Sequence, residues 1–285
     1  MLWENLRCDE FKEAVARSNG VCAIPIGCVE AHGIHLPLGC DTLKAKEFCI
    51  RAAEIAPVTV FPAMYFGEKS GAGEFPGTIV LPTPLIIELL EACCKEIYRN
   101  GFKKIVLVSS HGGNTNMLNF FNRAMLEKQP EILVYHYYQS MATPDKVLAN
   151  LENHPYLTQE DIAVLQAYVD AGKKDGHGGF VETSCLYDVC PDLVALDKVD
   201  ALSSTTTGLF RGFDENKIFT PFGWMGNYPN SYSADLHYGV NARIAKAIAA
   251  ETVNMTARAF QFLREEAVSE EYQKQWLAKR GRLEI

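Results

Sequence analysis

The segment KKIVLVSSHGGNTN, residues 103–116, limits what this chain can fold into more than any other. Ile105 to Val108 form an unbroken apolar run, with lysines before it and serines, a histidine and two glycines after it. A run without polar alternation buries both faces of its strand, the pattern of a parallel sheet covered by helices on either side. The rest of the first half repeats this rhythm. EFKEAVARS predicts a helix, VCAIPIG a strand ending at Gly27, and TLKAKEFCIRAAEIA a helix whose start is marked by Asp41 and Thr42 as caps. VTVFPAMYFG (58–67) reads as a second strand, followed by the glycine-rich loop EKSGAGEFPGT. PLIIELLEACCKEIYRNGF begins a helix on proline and stops it on Asn100-Gly101. After the 103–110 strand, NTNMLNFFNRAMLEK reads as helix and EILVYHYYQS as strand. This order predicts an α/β fold in three layers, α/β/α, with a mostly parallel central sheet flanked by helices.

The second half is less regular. TQEDIAVLQAYVDAG and GVNARIAKAIAAETVNMTARAFQFLREEA carry helical patterns. Between them, 203–237 is rich in Ser, Thr, Gly, Pro and aromatic residues, too apolar for a linker, and predicts a long folded loop near a site. Without a repeat, a low-complexity tract or a break in composition, a single domain over 1–285 is expected.

Composition excludes several classes of partner. At 285 residues and 48% hydrophobic, the chain can bury a sizeable core. A formal net charge of −8 argues against nucleic acid or an anionic membrane as the main partner. No apolar run approaches the roughly 18–20 residues needed to span a bilayer. The acidic start MLWENLRCDEFKEAV is read as lacking a secretory leader. Nine cysteines, an odd number without a C-x-x-C pair, suggest reduced thiols in a cytoplasm.

Chemistry concentrates in three places, each read as following a strand-like segment. CVEAHGIHLPLGCDT (28–42) crowds Glu30, His32, His35 and Asp41 among small, apolar and turn-forming residues. His111 follows the 103–110 strand and precedes Gly112-Gly113; His177 and Glu182 lie in DGHGGFVETS. Loops leaving the carboxyl ends of parallel strands converge on one sheet edge, where ligands bind. Glu30 and His32, two apart, share a face on extended chain, and Asp41 can return across the Pro37–Gly39 turn. Taken singly, Glu30 also reads as a helix cap and His111 as a turn residue. Together, carboxylates and imidazoles suit Zn, Mn, Fe or Co. A carboxylate such as Asp41 can bridge two metals about 3.5–4 Å apart, with a shared hydroxide as nucleophile.

These motifs resemble the creatininase family. The family's first motif, roughly G-S-x-E-Q-H-G-x-H-L-P-L-x-x-D, is matched by Gly27 to Asp41. EFPGT (74–78), SSHGGNTN (109–116), HGGFVETS (177–184) and YSADLHYGVNA (232–242) follow in family order. The resemblance implies a metal-dependent amidohydrolase that opens a C–N bond of a small cyclic amide or related ring compound through a metal-bound hydroxide. It places two divalent ions, zinc first among Zn, Mn, Fe and Co, on Glu30, His32, Asp41 and His111, with Asp41 bridging. His177 falls on the family's catalytic histidine. Creatininase itself carries a glutamate where this chain has Gly113, and Glu182 of the E-T-S segment stands as the replacement ligand or as a local cap. His35 is expected to support its neighbours, and Cys28 and Cys40 to pack. Trp224, Tyr228 and Tyr232 either line a pocket or brace the long loop. A small-molecule substrate and a homo-oligomer, a hexamer by resemblance, are further expectations. Two other classes stay open: hydrolysis of a C–C bond in a cyclic ketone or inosose-type sugar, and a non-catalytic metal- or ligand-binding protein.

Overall fold

The computed structural model describes residues 1–172, 176–199, 201–233 and 239–280. In chain order the main elements are α1 (Phe11–Arg17), β1 (Val21–Ile26), α2 (Cys40–Ile55), β2 (Thr59–Val60), α3 (Thr83–Arg99), β3 (Lys104–Ser109), α4 (Asn114–Lys128) and β4 (Leu133–Tyr138). There follow α5 (Pro144–Leu148), α6 (Gln159–Asp170), α7 (Phe180–Val189), α8 (Arg211–Glu215), α9 (Gly223–Asn227), α10 (Ala242–Glu265) and α11 (Val268–Arg280). The four strands pair in parallel in the order β2-β1-β3-β4. The apolar run that predicted a two-face-buried strand is β3, and all six of its residues are buried.

Period-two alternation divides the core between the faces of this sheet. Val21, Ala23, Val106 and Val108 face a cluster that includes Phe48 and Ala52 of α2, Phe180 of α7 and Ile248 and Phe260 of α10. Cys22, Ile24, Ile26, Ile105 and Leu107 face Leu90 and Ile97 of α3 and Leu118 and Phe121 of α4. Helices on both faces make the three-layer α/β/α arrangement expected from the strand–helix rhythm.

Four readings change. The 58–67 segment is strand only over Thr59–Val60: beyond Phe61, whose N–H bonds Ala23 O, the register slips by one residue and the next N–H onto β1 is that of Met64, to Pro25 O. Asp41 and Thr42 do not cap α2: Gly39 holds the N-cap position, and Asp41 lies in the first turn with its carboxylate engaged by two histidines. The 203–237 loop carries the short helices α8 and α9, while residues 234–238, part of the YSADLHYGVNA segment, lie outside the described residues. His177 and Glu182 follow no strand; His177 precedes α7, and Glu182 sits in that helix's first turn.

Candidate metal centre

The strand ends and helix starts decide where the polar groups meet. β1 ends at Ile26, and the loop 27–39 carries Glu30 and His32 back over the carboxyl edge of the sheet before α2 presents Asp41. A side chain on Gly27 would run into the backbone of Thr42, so glycine here lets the first turn of α2 close onto the strand end. β3 delivers His111 from the neighbouring position, and α7 brings Glu182 from across the cleft. Asn114 ties the loops together: its amide donates to Gly27 O at 3.3 Å and its oxygen accepts the Glu68 N–H at 2.8 Å.

The result is one buried cluster holding all five predicted ligands. Asp41 sits at its middle with its two oxygens facing different histidines. Oδ2 lies 3.1 Å from His111 Nδ1, which is also 2.9 Å from Glu30 Oε1. Oδ1 lies 3.4 Å from His32 Nε2, which is 3.8 Å from Glu182 Oε2. The ligand atoms of Cys28, Glu30, Asp41 and His111 lie within 4.8 Å of one another, as do those of His32, Cys40 and Glu182.

Backbone carbonyls settle the histidine tautomers. His111 Nε2 is 3.0 Å from Glu68 O and His32 Nδ1 is 3.1 Å from Glu30 O. A carbonyl only accepts, so each of these nitrogens carries its proton, and in the neutral ring the lone pair of the other nitrogen faces the carboxylates. Outer contacts of this kind orient metal-ligating histidines. His32 Nε2 is buried without a hydrogen bond of good geometry among the described residues, and the two Glu30 oxygens meet only the cationic side chains of His111 and Lys69. A buried nitrogen left in this state beside carboxylates fits a cation held between them. The donor set of two imidazoles and three carboxylates fits a divalent metal of the zinc or manganese type.

Protonation follows the same geometry. Burial opposes charge on His111, but Glu30 and Asp41 outweigh it and raise the imidazole to about 10. Burial pushes the Glu30 carboxyl up, yet His177, His111 and His32 hold it below the usual carboxylate range. Asp41 is likewise held far down by His32 and His111 against its burial. A metal therefore displaces protons from the histidines rather than from the carboxylates.

His177 stands beside this cluster rather than in its centre. Its Nε2 donates to Ala31 O at 2.8 Å, its ring stacks on His32 at 3.9 Å between centroids, and its Nδ1 is 3.9 Å from Glu30 Oε1. Burial, reinforced by His32, lowers it to about 4. His35 accepts no place among the clustered ligand atoms; its Nε2 lies 3.0 Å from Gly178 O and 3.2 Å from Thr183 Oγ1, bracing the loop before α7. The Cys28 thiol donates to Asp41 Oδ2 at 3.2 Å, and burial with the nearby Asp41 and Glu30 raises its pKa far above that of a free thiol. Trp224 lines the cleft and Tyr228 stacks behind it at 4.5 Å, while Tyr232 meets the His177 ring edge at 5.2 Å.

Two lysines complete the centre. Lys44 is fully buried, bonds Glu182 Oε1 and lies 3.6 Å from Asp41 Oδ1. Lys69 is 2.5 Å from Glu30 Oε2 and 2.5 Å from the Tyr232 hydroxyl. Sequence reasoning passed over both. For Lys44 a signal existed: it falls one helical turn from Cys40 and one from Phe48, on the buried stripe of α2.

The cleft above the cluster has a volume of about 370 Å³ and is walled by Tyr138, Met141, Val181 and Trp224. Among the described residues lining it there is no lysine or arginine.

Known proteins resemble this chain in sequence and in fold. The family profile described as creatinine amidohydrolase matches residues 4–256. A creatinine amidohydrolase from Pseudomonas putida is 28% identical over 202 residues, 67% of this chain and 72% of the relative. A mycofactocin precursor peptide peptidase from Mycolicibacterium smegmatis is 35% identical over 104 residues, 33% of this chain and 40% of the relative. A solved mutant creatininase of Zn-Zn type superposes with a TM-score of 0.72 at 22% identity, over 93% of this chain and 98% of that one. A match over this span, on a chain whose sheet edge gathers these side chains, shows that the protein belongs to the creatininase family of metal-dependent hydrolases.

Proposed function

We propose that the protein hydrolyses a C–N bond of a small cyclic amide or related ring compound, using divalent metal held by Glu30, His32, Asp41, His111 and Glu182. The observation that carries this reading is the splayed Asp41 carboxylate, with Oδ2 toward His111 and Oδ1 toward His32, each histidine locked by a backbone carbonyl with its lone pair inward. Bound there, divalent ions supply a water activated near neutral pH and positive charge opposite a substrate carbonyl. Zinc or manganese suits the donors, and the Zn-Zn form of a solved relative supports zinc.

The chain's own groups account for the rest. Glu30 and Glu182 are buried on either side of Asp41 and fix the charge of the floor. His177 keeps its Nε2 proton on Ala31 O, which directs Nδ1 toward the reacting side. A low pKa leaves that nitrogen unprotonated at neutral pH, ready to take a proton from the attacking water and return it to the leaving nitrogen. No serine or cysteine nucleophile is needed. The small cleft, with no lysine or arginine among the described residues that line it, favours a compact, weakly charged substrate.

The test is a metal analysis of protein purified without chelator, followed by a screen of lactams, hydantoins, formamides, short peptide amides and keto-inositols. Amide hydrolysis that chelation abolishes and zinc or manganese restores is the expected result. Turnover confined to keto-inositols would replace this reading with C–C bond hydrolysis.

A further inference from the structure

We infer that Lys44 supplies, from within the chain, part of the positive charge of the His32–Glu182 half of the centre, so that one divalent ion is held firmly by Glu30, Asp41 and His111 and a second only weakly. The inference rests on the reading of this cluster as a metal centre.

Position is the first argument. Lys44 Nζ lies between the two carboxylates that the second ion would need, bonded to Glu182 Oε1 and 3.6 Å from Asp41 Oδ1. Glu182 Oε2 already accepts the Gly178 N–H at 2.6 Å. Both oxygens of this candidate ligand are thus in use within the chain. Asp41 and Glu182 also fall in different groups of mutually close ligand atoms, whereas Glu30, Asp41 and His111 share one. The first half is convergent, and the second is held apart around an ammonium.

Charge is the second. Three buried carboxylates, Glu30, Asp41 and Glu182, face two ammonium groups, Lys44 and Lys69. Once the histidines are neutral, as ligation requires, these groups sum to a single negative charge for the metal to balance. One divalent ion together with a hydroxide brings it to neutrality; two divalent ions with one hydroxide leave two positive charges in a buried site. Uncompensated buried charge is strongly disfavoured. Even at the dielectric constant of bulk water, an ammonium about 4 Å from a divalent ion disfavours binding by more than about tenfold.

Lys44 cannot withdraw cheaply. Its side chain is fully buried on the core stripe of α2, with Met141 Sδ 3.9 Å from Nζ, and it does not line the cleft. It acts from beneath the cluster as a positioning and charge-setting residue, out of reach of substrate.

The experiment is a titration of the apo full-length protein with Mn(II), followed by electron paramagnetic resonance, with ions retained after dialysis counted by elemental analysis for both Zn(II) and Mn(II). The wild type should retain about one ion per chain and show an uncoupled Mn(II) signal. Lys44→Met, which keeps the length and removes the charge, should retain two, bind the second at least about tenfold more tightly, and show a spin-coupled pair. Two firmly held, coupled ions in the wild type overturn the inference and leave the metal centre standing. One ion in both proteins also overturns it, since Lys44 then does not set the number. No ion in either defeats the metal-centre reading itself. Should Lys44→Met fail to fold, the wild-type count and spectrum decide alone.

Discussion

Replacing Asp161 with asparagine should destabilise the fold without touching the site, and the loss should shrink in acid. The Asp161 carboxylate is almost fully buried and joins the starts of two helices. It accepts the Thr158 N–H and hydroxyl at 2.9 Å each, closing the capping box of α6. It also accepts Asn241 Nδ2 at 2.9 Å and Arg243 Nε at 2.6 Å, where Asn241 is the N-cap of α10. Asn keeps the shape but turns one acceptor into a donor, facing other donors. A cap is worth about 1 kcal/mol and a hydrogen bond to a charged group about 1.5–3 kcal/mol. Arg243 is half exposed, so its ion pair is discounted, and a total of about 2–3 kcal/mol remains. At about 2–4 °C per kcal/mol for a chain of this size, Tm should fall by roughly 4–12 °C. The hydrogen bond from Arg243, helped by those from Thr158 and Asn241, holds the Asp161 carboxyl well below its ordinary range against the opposing effect of burial. A carboxylate depressed in the folded state stabilises fully above its unfolded pKa of about 3.9 and loses that contribution as pH falls toward the folded value. Urea unfolding of both proteins at about pH 7 and about pH 3 should show the gap closing as acid is added. A difference below about 0.5 kcal/mol at neutral pH, or one unchanged in acid, would refute the reasoning.

Four further outcomes are expected. His177→Ala should keep its metal, by elemental analysis, while turnover on the substrate found by screening falls by about 10²–10⁴-fold; unchanged turnover would remove His177 from the proton path. Asp41→Ala should lose the firmly held ion and retain none after dialysis, since its two oxygens face the histidines of both halves; a variant that still retains metal contradicts the shared role. In Gly113→Glu the new Cβ would run into the His111 ring nitrogen that bonds Glu68 O. Instead of adding a ligand, it should lower metal affinity by about 10–100-fold, the usual effect of disturbing an outer contact, read by competition with a chelating dye. Sedimentation equilibrium should show a homo-oligomer, because Leu209, Phe219 and Phe222 of the long loop are more than half exposed; a mass of one chain at micromolar concentration would count against it.

Much of this architecture is written in local pattern. Val21 to Ile26 and Lys104 to Ser109 became parallel strands because continuous apolar runs pack only when both faces are covered, and the helices that cover them show their own periodicity. Ligand types and their spacing were equally legible, since Glu30, His32, Asp41 and His111 lie within short reach of two strand ends. That the Asp41 carboxylate meets two histidines instead of capping α2, and that Glu182 lies in a helix rather than after a strand, were decided by tertiary packing, because those histidines arrive from separate loops. The same holds for the carbonyls of Glu30, Ala31 and Glu68 that set each histidine's tautomer, and for Lys69 against Glu30. Sequence alone determined that a parallel sheet would carry a cluster of imidazoles and carboxylates at one edge. Only the folded chain decided that a buried lysine, 138 residues away from Glu182 along the chain, would share that cluster, because charge compensation in a core depends on which groups are packed together and not on their order.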